Sequence, residues 1–193
     1  GLINELLTVD VVEAYSPPRV TLEAKTFGLK PGEAWDLTNG WDFNRKDHQE
    51  MAEEYLDREK PLVLIGSPPC TPFSQLQSLN PITEESRRRW KEGVEHMKFM
   101  VRLYRKQVDH GRVFLHEQPA HAKAWLSPEI RQMMSEAGIT LVEADQCMYG
   151  LKTHSANIKT EVHAKKPTKF MTIRARLEKS WAISVMDDTH IKA

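Results

Sequence analysis

The stretch Pro61-Leu62-Val63-Leu64-Ile65-Gly66 decides the fold. Its apolar residues run on without alternation, as they do in a strand covered on both faces within a parallel sheet. Upstream, Val9-Asp10-Val11-Val12-Glu13-Ala14-Tyr15 reads as a strand closed by Ser16-Pro17-Pro18. A helical stretch from Arg19 to Phe27 stops at Gly28, and Glu33–Leu37 is a second strand followed by the turn Thr38-Asn39-Gly40. Asp47 is placed to cap a polar helix through Arg58. Downstream, the longest helix is expected over Thr83–Asp109, with Trp90, Val94, Met97, Val101, Tyr104 and Val108 at core-facing helical spacing. Arg112–His116 and Ile139–Glu143 read as strands flanking a helix from Ser127 to Ala137. Lys169–Ile173 is a late strand, and Ala175–Ser184 a C-terminal helix leading into a tail. Strands separated by helices predict right-handed βαβ units: a three-layer α/β protein, its mostly parallel sheet carrying helices on both faces.

Composition narrows the class. The 193 residues suit one domain over 1–193, and 40% hydrophobic with 28% charged residues excludes wholesale disorder. Lys and Arg number 27 against 27 Asp and Glu, so any nucleic-acid contact must come from a local patch. Cys70 and Cys147 make at most one bridge, which fits a reducing compartment. No apolar run approaches the ~20 residues that span a bilayer, so no membrane partner is expected. Gly1 in place of an initiator Met suggests a fragment or a processed chain, and Gly1–Glu5 lacks the basic, apolar start of a secretory signal. An intracellular location is expected: nucleus in a eukaryote, cytoplasm or nucleoid for a bacterial or viral protein.

In open α/β sheets, ligands bind beyond the carboxyl ends of the strands. Four segments would crowd that rim: Glu13–Pro18, Asp36 with Gly40–Phe43, Gly66–Ser74 and His116–Pro119. Asp36 lies 23 positions after Glu13, near the offset at which an acid meets ribose hydroxyls. In the third segment, prolines fix the backbone around Cys70 and hold its thiol on a pre-set loop. His116 and His121 are five apart and separated by Pro119, which excludes a helical zinc-protease pair, so no metal is expected. A Cys70–His116 hydrolase dyad has no recognisable oxyanion hole and ranks lower.

Gly66-Ser67-Pro68-Pro69-Cys70-Thr71-Pro72-Phe73-Ser74 resembles the nucleophile motif of DNA cytosine-5 methyltransferases, Gly-Gly-Pro-Pro-Cys-Gln-x-Phe-Ser. Val113–Pro119 is similar to their Phe-Glu-Asn-Val strand, with Glu117 at the glutamate. Gly40-Trp41-Asp42-Phe43, Glu13–Ser16 and Cys147-Met148-Tyr149-Gly150-Leu151 resemble further motifs, so the likeness spans residues 9–173. It implies a Rossmann-like class I fold using S-adenosylmethionine, with Cys70 as nucleophile, Glu117 as acid and His116 orienting it. Glu13, Tyr15, Ser16, Asp36, Asp42 and Pro68 would surround the cofactor. Ser74 and Gln75 would face DNA, its target base flipped out of the stack.

Among basic clusters, Lys165-Lys166-Pro167-Thr168-Lys169 is uninterrupted by acids and is the better phosphate-contact candidate. Arg87-Arg88-Arg89 is diluted by Glu84, Glu85, Glu92 and Glu95. Pro17 and Pro18 stand where the family has loop glycines, Gln118-Pro119 replaces Asn-Val, and Lys152 and Lys159 are the nearest basic residues to its Gln-x-Arg-x-Arg motif. The resemblance leaves no stretch for a target-recognition segment. That opens three alternatives: a partner protein supplying recognition, an RNA or single-stranded DNA substrate, or a catalytically degenerate nucleic-acid-binding or interaction domain.

Overall fold

Val11–Ala14 (β1), Pro31–Trp35 (β2), Val63–Gly66 (β3) and Val113–Pro119 (β4) pair in parallel in the order β2-β1-β3-β4. Pro167–Ile173 (β8) lies antiparallel between β4 and the edge strand Ile139–Asp145 (β5). The sheet is thus mixed but mostly parallel, with β8 alone reversed. Lys152–His154 (β6) and Glu161–His163 (β7) form a separate antiparallel pair. This computed structural model describes residues 9–74, 81–150, 152–154, 161–163 and 165–173. Gln75, Leu151, Lys159 and the expected helix over 175–184 with its tail lie outside the described residues.

The helices are Val20–Glu23 (α1), Lys46–Glu59 (α2), Glu84–Asp109 (α3) and Pro128–Met134 (α4). All four residues of β1 are buried, which requires cover on both faces. Val12 and Ala14 join the main core with Leu56 of α2 and Met100 and Tyr104 of α3, whereas Glu13, on the opposite face, is covered by α1. Thr83 caps α3 in a reciprocal pair with Ser86, which satisfies two otherwise orphan amides. No helix among the described residues is long and apolar enough to cross a membrane.

Three local expectations need correction. The residue flanking α2 is Arg45, and Asp47 sits inside the first turn, ion-paired with that arginine rather than capping. The helix begun at Pro128 stops at Met134, and Gly138 takes a left-handed conformation (φ +87°) three residues before Leu141. Trp90, read as core-facing, is 42% exposed, while Phe99, Met100 and Leu103 supply much of the buried face.

Candidate active site

Strand register sets the site. Ala14 of β1 is level with Trp35 of β2 and Gly66 of β3, and Gly66 is level with His116 of β4. One residue beyond this row stand Asp36, Tyr15, Ser67 and Glu117, so all four chemistry-bearing segments share one carboxyl rim. The chain leaves β1 to form β2 on one side and returns with β3 on the other. That reversal is the switch point at which such sheets open a ligand crevice.

On the β1 side, Glu13 is buried and fully engaged. Its carboxylate accepts from the backbone amides of Arg19 and Thr21 at 2.8 and 2.9 Å and from the Thr21 hydroxyl. With Oε2 accepting from the Val20 amide at 3.4 Å as well, Glu13 anchors the start of α1 and shapes the loop. Tyr15 adopts a left-handed backbone (φ +60°), an unusual state for an aromatic residue. Its amide donates to the Trp35 carbonyl at 2.7 Å, and its hydroxyl meets His96 Nδ1 at 2.9 Å. Burial pushes this phenol well above its ordinary range, so it stays a neutral hydrogen-bonding group. Ser16 is half-buried and donates to the Pro17 carbonyl. Asp36 caps a short turn through Oδ1, which accepts from the Thr38 amide and hydroxyl. Asp42 stiffens its loop by accepting from Asn44, while its own amide donates to His48 Nδ1.

On the β3 side, Gly66 admits no side chain, because a Cβ would run into the Tyr104 hydroxyl and lie 2.5 Å from Met100 Cε. The loop it starts is pinned from β4: Gln118 Nε2 donates to the Pro68 carbonyl at 2.5 Å. Cys70 is half-buried, unbridged and opens the turn Thr71–Phe73, its carbonyl accepting from the Phe73 amide at 3.0 Å. Ser74 closes that turn by donating its amide to Thr71. Glu117 is also half-buried, with Gln146 Nε2 at 3.4 Å and Lys166 Nζ at 3.7 Å from its Oε1.

Sequence reading gives Gln146 and His96 no role in the site, takes Tyr104 only as a core-facing residue of α3, and notes Gln118 only as a replacement within the Val113–Pro119 motif. Gln146 directly adjoins the Cys147–Leu151 motif, and that adjacency is the signal available for it. His116 does not orient Glu117, because neighbouring residues on a strand face opposite sides of the sheet. It is fully buried toward α3, with Nδ1 2.9 Å from the Tyr104 hydroxyl and its ring edge-on to Trp125. Burial lowers its pKa to about 3. This placement also removes His116 as a base for Cys70.

The lysine cluster is not the free patch its sequence suggests. Lys165 lies 3.6 Å from Asp145, Lys166 pairs with Glu117, and Lys169 is 2.8 Å from Glu143. The acids come from β4 and β5, remote in sequence and adjacent in the sheet. A cavity of about 910 Å³ is lined by Pro69, Thr71 and Pro72 of the cysteine loop, by Trp90 and His96 of α3 and by Lys123; Cys70 and Glu117 do not line it. Set against models of known protein families and against curated proteins, the chain matches none.

Proposed function

We propose that this chain transfers a methyl group from S-adenosylmethionine to carbon 5 of cytosine in nucleic acid through a covalent bond to Cys70. The observation that carries the reading is the bond from Gln118 to the Pro68 carbonyl. It ties the residue after the candidate acid to the loop bearing the candidate nucleophile, on adjacent parallel strands in register. A Rossmann-like methyltransferase architecture is proposed on the same grounds, with the crevice at the β1/β3 switch point as its cofactor site.

The residues present suit that cofactor at its nucleoside end. Asp36 engages Thr38 through Oδ1 alone, which leaves Oδ2 to accept from ribose hydroxyls, and Trp41 lies half-buried close by. When bound, S-adenosylmethionine supplies an electrophilic methyl group. Cys70 Sγ, its proton lost to solvent, bonds to carbon 6, and the electron pair displaced into the ring is stabilised by a proton that Glu117 holds at nitrogen 3. Carbon 5 would then take the methyl group as its bond to the sulfonium breaks, leaving a neutral thioether, and would lose its hydrogen as a proton to solvent. The sulfur–carbon 6 bond breaks, restoring the ring and the Cys70 thiolate, and the nitrogen 3 proton returns to Glu117. Gln146 and Lys166 hold the Glu117 carboxyl during these steps.

A non-catalytic reading has one observation in its favour: Pro17 and Pro18 carry no N–H, and the amides that follow are claimed by Glu13. A cofactor carboxylate finds few donors there. The experiment that separates the readings is methyl transfer from radiolabelled S-adenosylmethionine to cytosine-containing DNA, with the product identified as 5-methylcytosine. Product formed by the native chain and lost in Cys70→Ser supports catalysis; no product on single-stranded DNA, duplex DNA or RNA overturns it.

A further inference from the structure

α3 outruns the strands it covers. Its 26 residues extend about 39 Å, against about 13 Å for the four residues of β3, so its first turns overhang the sheet. Trp90 stands on that overhang. Phe73, buried and packed against Gly93, meets the indole at 4.9 Å and 68°. One aromatic contact thus fixes the ring while 42% of the residue remains open.

Trp90 and Lys123 line two adjoining cavities, of about 910 and 280 Å³. The first reaches Pro69, Thr71 and Pro72 around Cys70, and the second reaches Leu126 and Pro128. The larger cavity brings Arg87, Arg89 and Lys123 against Glu85 and Glu92, an excess of one positive charge. Both acids are engaged, Glu85 by Arg88 and Arg89 and Glu92 by Arg88. The Arg87 guanidinium has no acidic partner among the described residues. A fixed aromatic face beside one available cation matches a nucleotide whose base is unstacked and whose phosphate lies close by. A duplex hides its base faces and needs a row of cations, and here the neighbouring Arg88 and Arg89 are paired with Glu85 and Glu92.

From this we infer that the groove between the cysteine loop and α3 seats a single-stranded nucleic acid, one base stacked on Trp90 and one phosphate on Arg87. The inference rests on the methyl-transfer reading of the same rim and names its substrate class. It is tested with a fluorescein-labelled 12-nucleotide cytosine-rich DNA strand, alone and annealed to its complement. Binding is followed by anisotropy for the native chain, Trp90→Phe, Trp90→Leu, Arg87→Gln and Cys70→Ser, with thermal melting as the folding control. The single strand is expected to bind at least about 10-fold more tightly than the duplex. Trp90→Leu, which keeps an apolar contact with Phe73, weakens binding about 10-fold, Trp90→Phe preserves most of it, and Arg87→Gln weakens it several-fold.

Equal affinity for single strand and duplex, or unchanged binding in Trp90→Leu, overturns the inference. So does a sedimentation shift in Trp90→Leu from dimer to monomer, which assigns the groove to a second copy. Cys70→Ser binding like the native chain supports it, and single-strand binding by a native chain that transfers no methyl group leaves this groove standing while the catalytic reading fails. Undiminished methylation of single strands by Trp90→Leu overturns the groove and leaves the catalytic reading intact.

Discussion

Gln118 connects the two halves of the candidate site, and its removal separates positioning from stability. Gln118→Leu keeps an apolar filling but strips the Pro68 carbonyl of its donor. An unmet buried acceptor costs about 1–3 kcal/mol. Denaturant unfolding is expected to register that loss, and methyl transfer measured well below the melting temperature to fall at least about 10-fold, mainly in kcat. Activity unchanged in a folded Gln118→Leu chain would remove the residue from the positioning of Cys70. His116 makes a prediction about pH. Its folded pKa of about 3 lies below the ordinary value of 6.5, so the unfolded chain binds the extra proton between those limits. Stability from a neutral buried His116 is complete above pH 6.5 and is lost as pH falls toward 3. Between pH 7.5 and 5 this amounts to about 2 kcal/mol. Urea unfolding of the native chain should show that extra decline relative to His116→Asn; parallel pH profiles for the two would contradict it.

At the scale of elements, the decisive contact is the close approach of α3 to the end of β3. Gly66→Ala drives a methyl group into the Tyr104 hydroxyl and Met100, and an overpacked core site of this kind costs about 1–3 kcal/mol. Tyr104→Phe removes the obstructing oxygen, so the double substitution should cost less than the sum of the singles in thermal unfolding. Strict additivity would mean that the clash is relieved elsewhere. The elements themselves were largely readable. The continuous apolar run Pro61–Gly66 marks β3, Ser16-Pro17-Pro18 closes β1, Gly28 and Gly40 mark stops, and Thr83 with Ser86 marks the start of α3. What eluded the sequence was long-range: β8 inserts between β4 and β5 from far along the chain, and no local pattern predicts that neighbour. The same insertion sets Asp145, Glu117 and Glu143 opposite lysines that look unopposed in sequence. Trp90 obeys the helical period, yet the period cannot show that the sheet has ended beneath it. His116, by contrast, carries a legible cue, since alternation along β4 separates it from Glu117.

For the whole molecule, zero net charge and mutual pairing of the basic clusters mean that the proposed nucleic-acid binding would draw little electrostatic help. One or two phosphate contacts give a slope of log affinity against log salt of about −0.7 to −1.4 for a single strand. Titrations from 50 to 200 mM salt should return a slope in that range; one steeper than about −3 would mean that the paired lysines and arginines exchange their acids for phosphates. The Cys70 loop and Glu117 share a rim because β3 and β4 are parallel neighbours, a placement that the sequence suggests through segments following strand ends as well as through the motifs it resembles. The most direct test is to trap the bond itself. A single strand containing 5-fluorocytosine, incubated with the chain and S-adenosylmethionine, cannot lose a proton from carbon 5 after methyl transfer, so the adduct persists. Intact-protein mass spectrometry should then find one methylated oligonucleotide attached at Cys70, retained in Cys147→Ser and absent in Cys70→Ser. A native chain that stays unmodified under conditions where S-adenosylhomocysteine binds, or an adduct that survives Cys70→Ser, would contradict methyl transfer through Cys70.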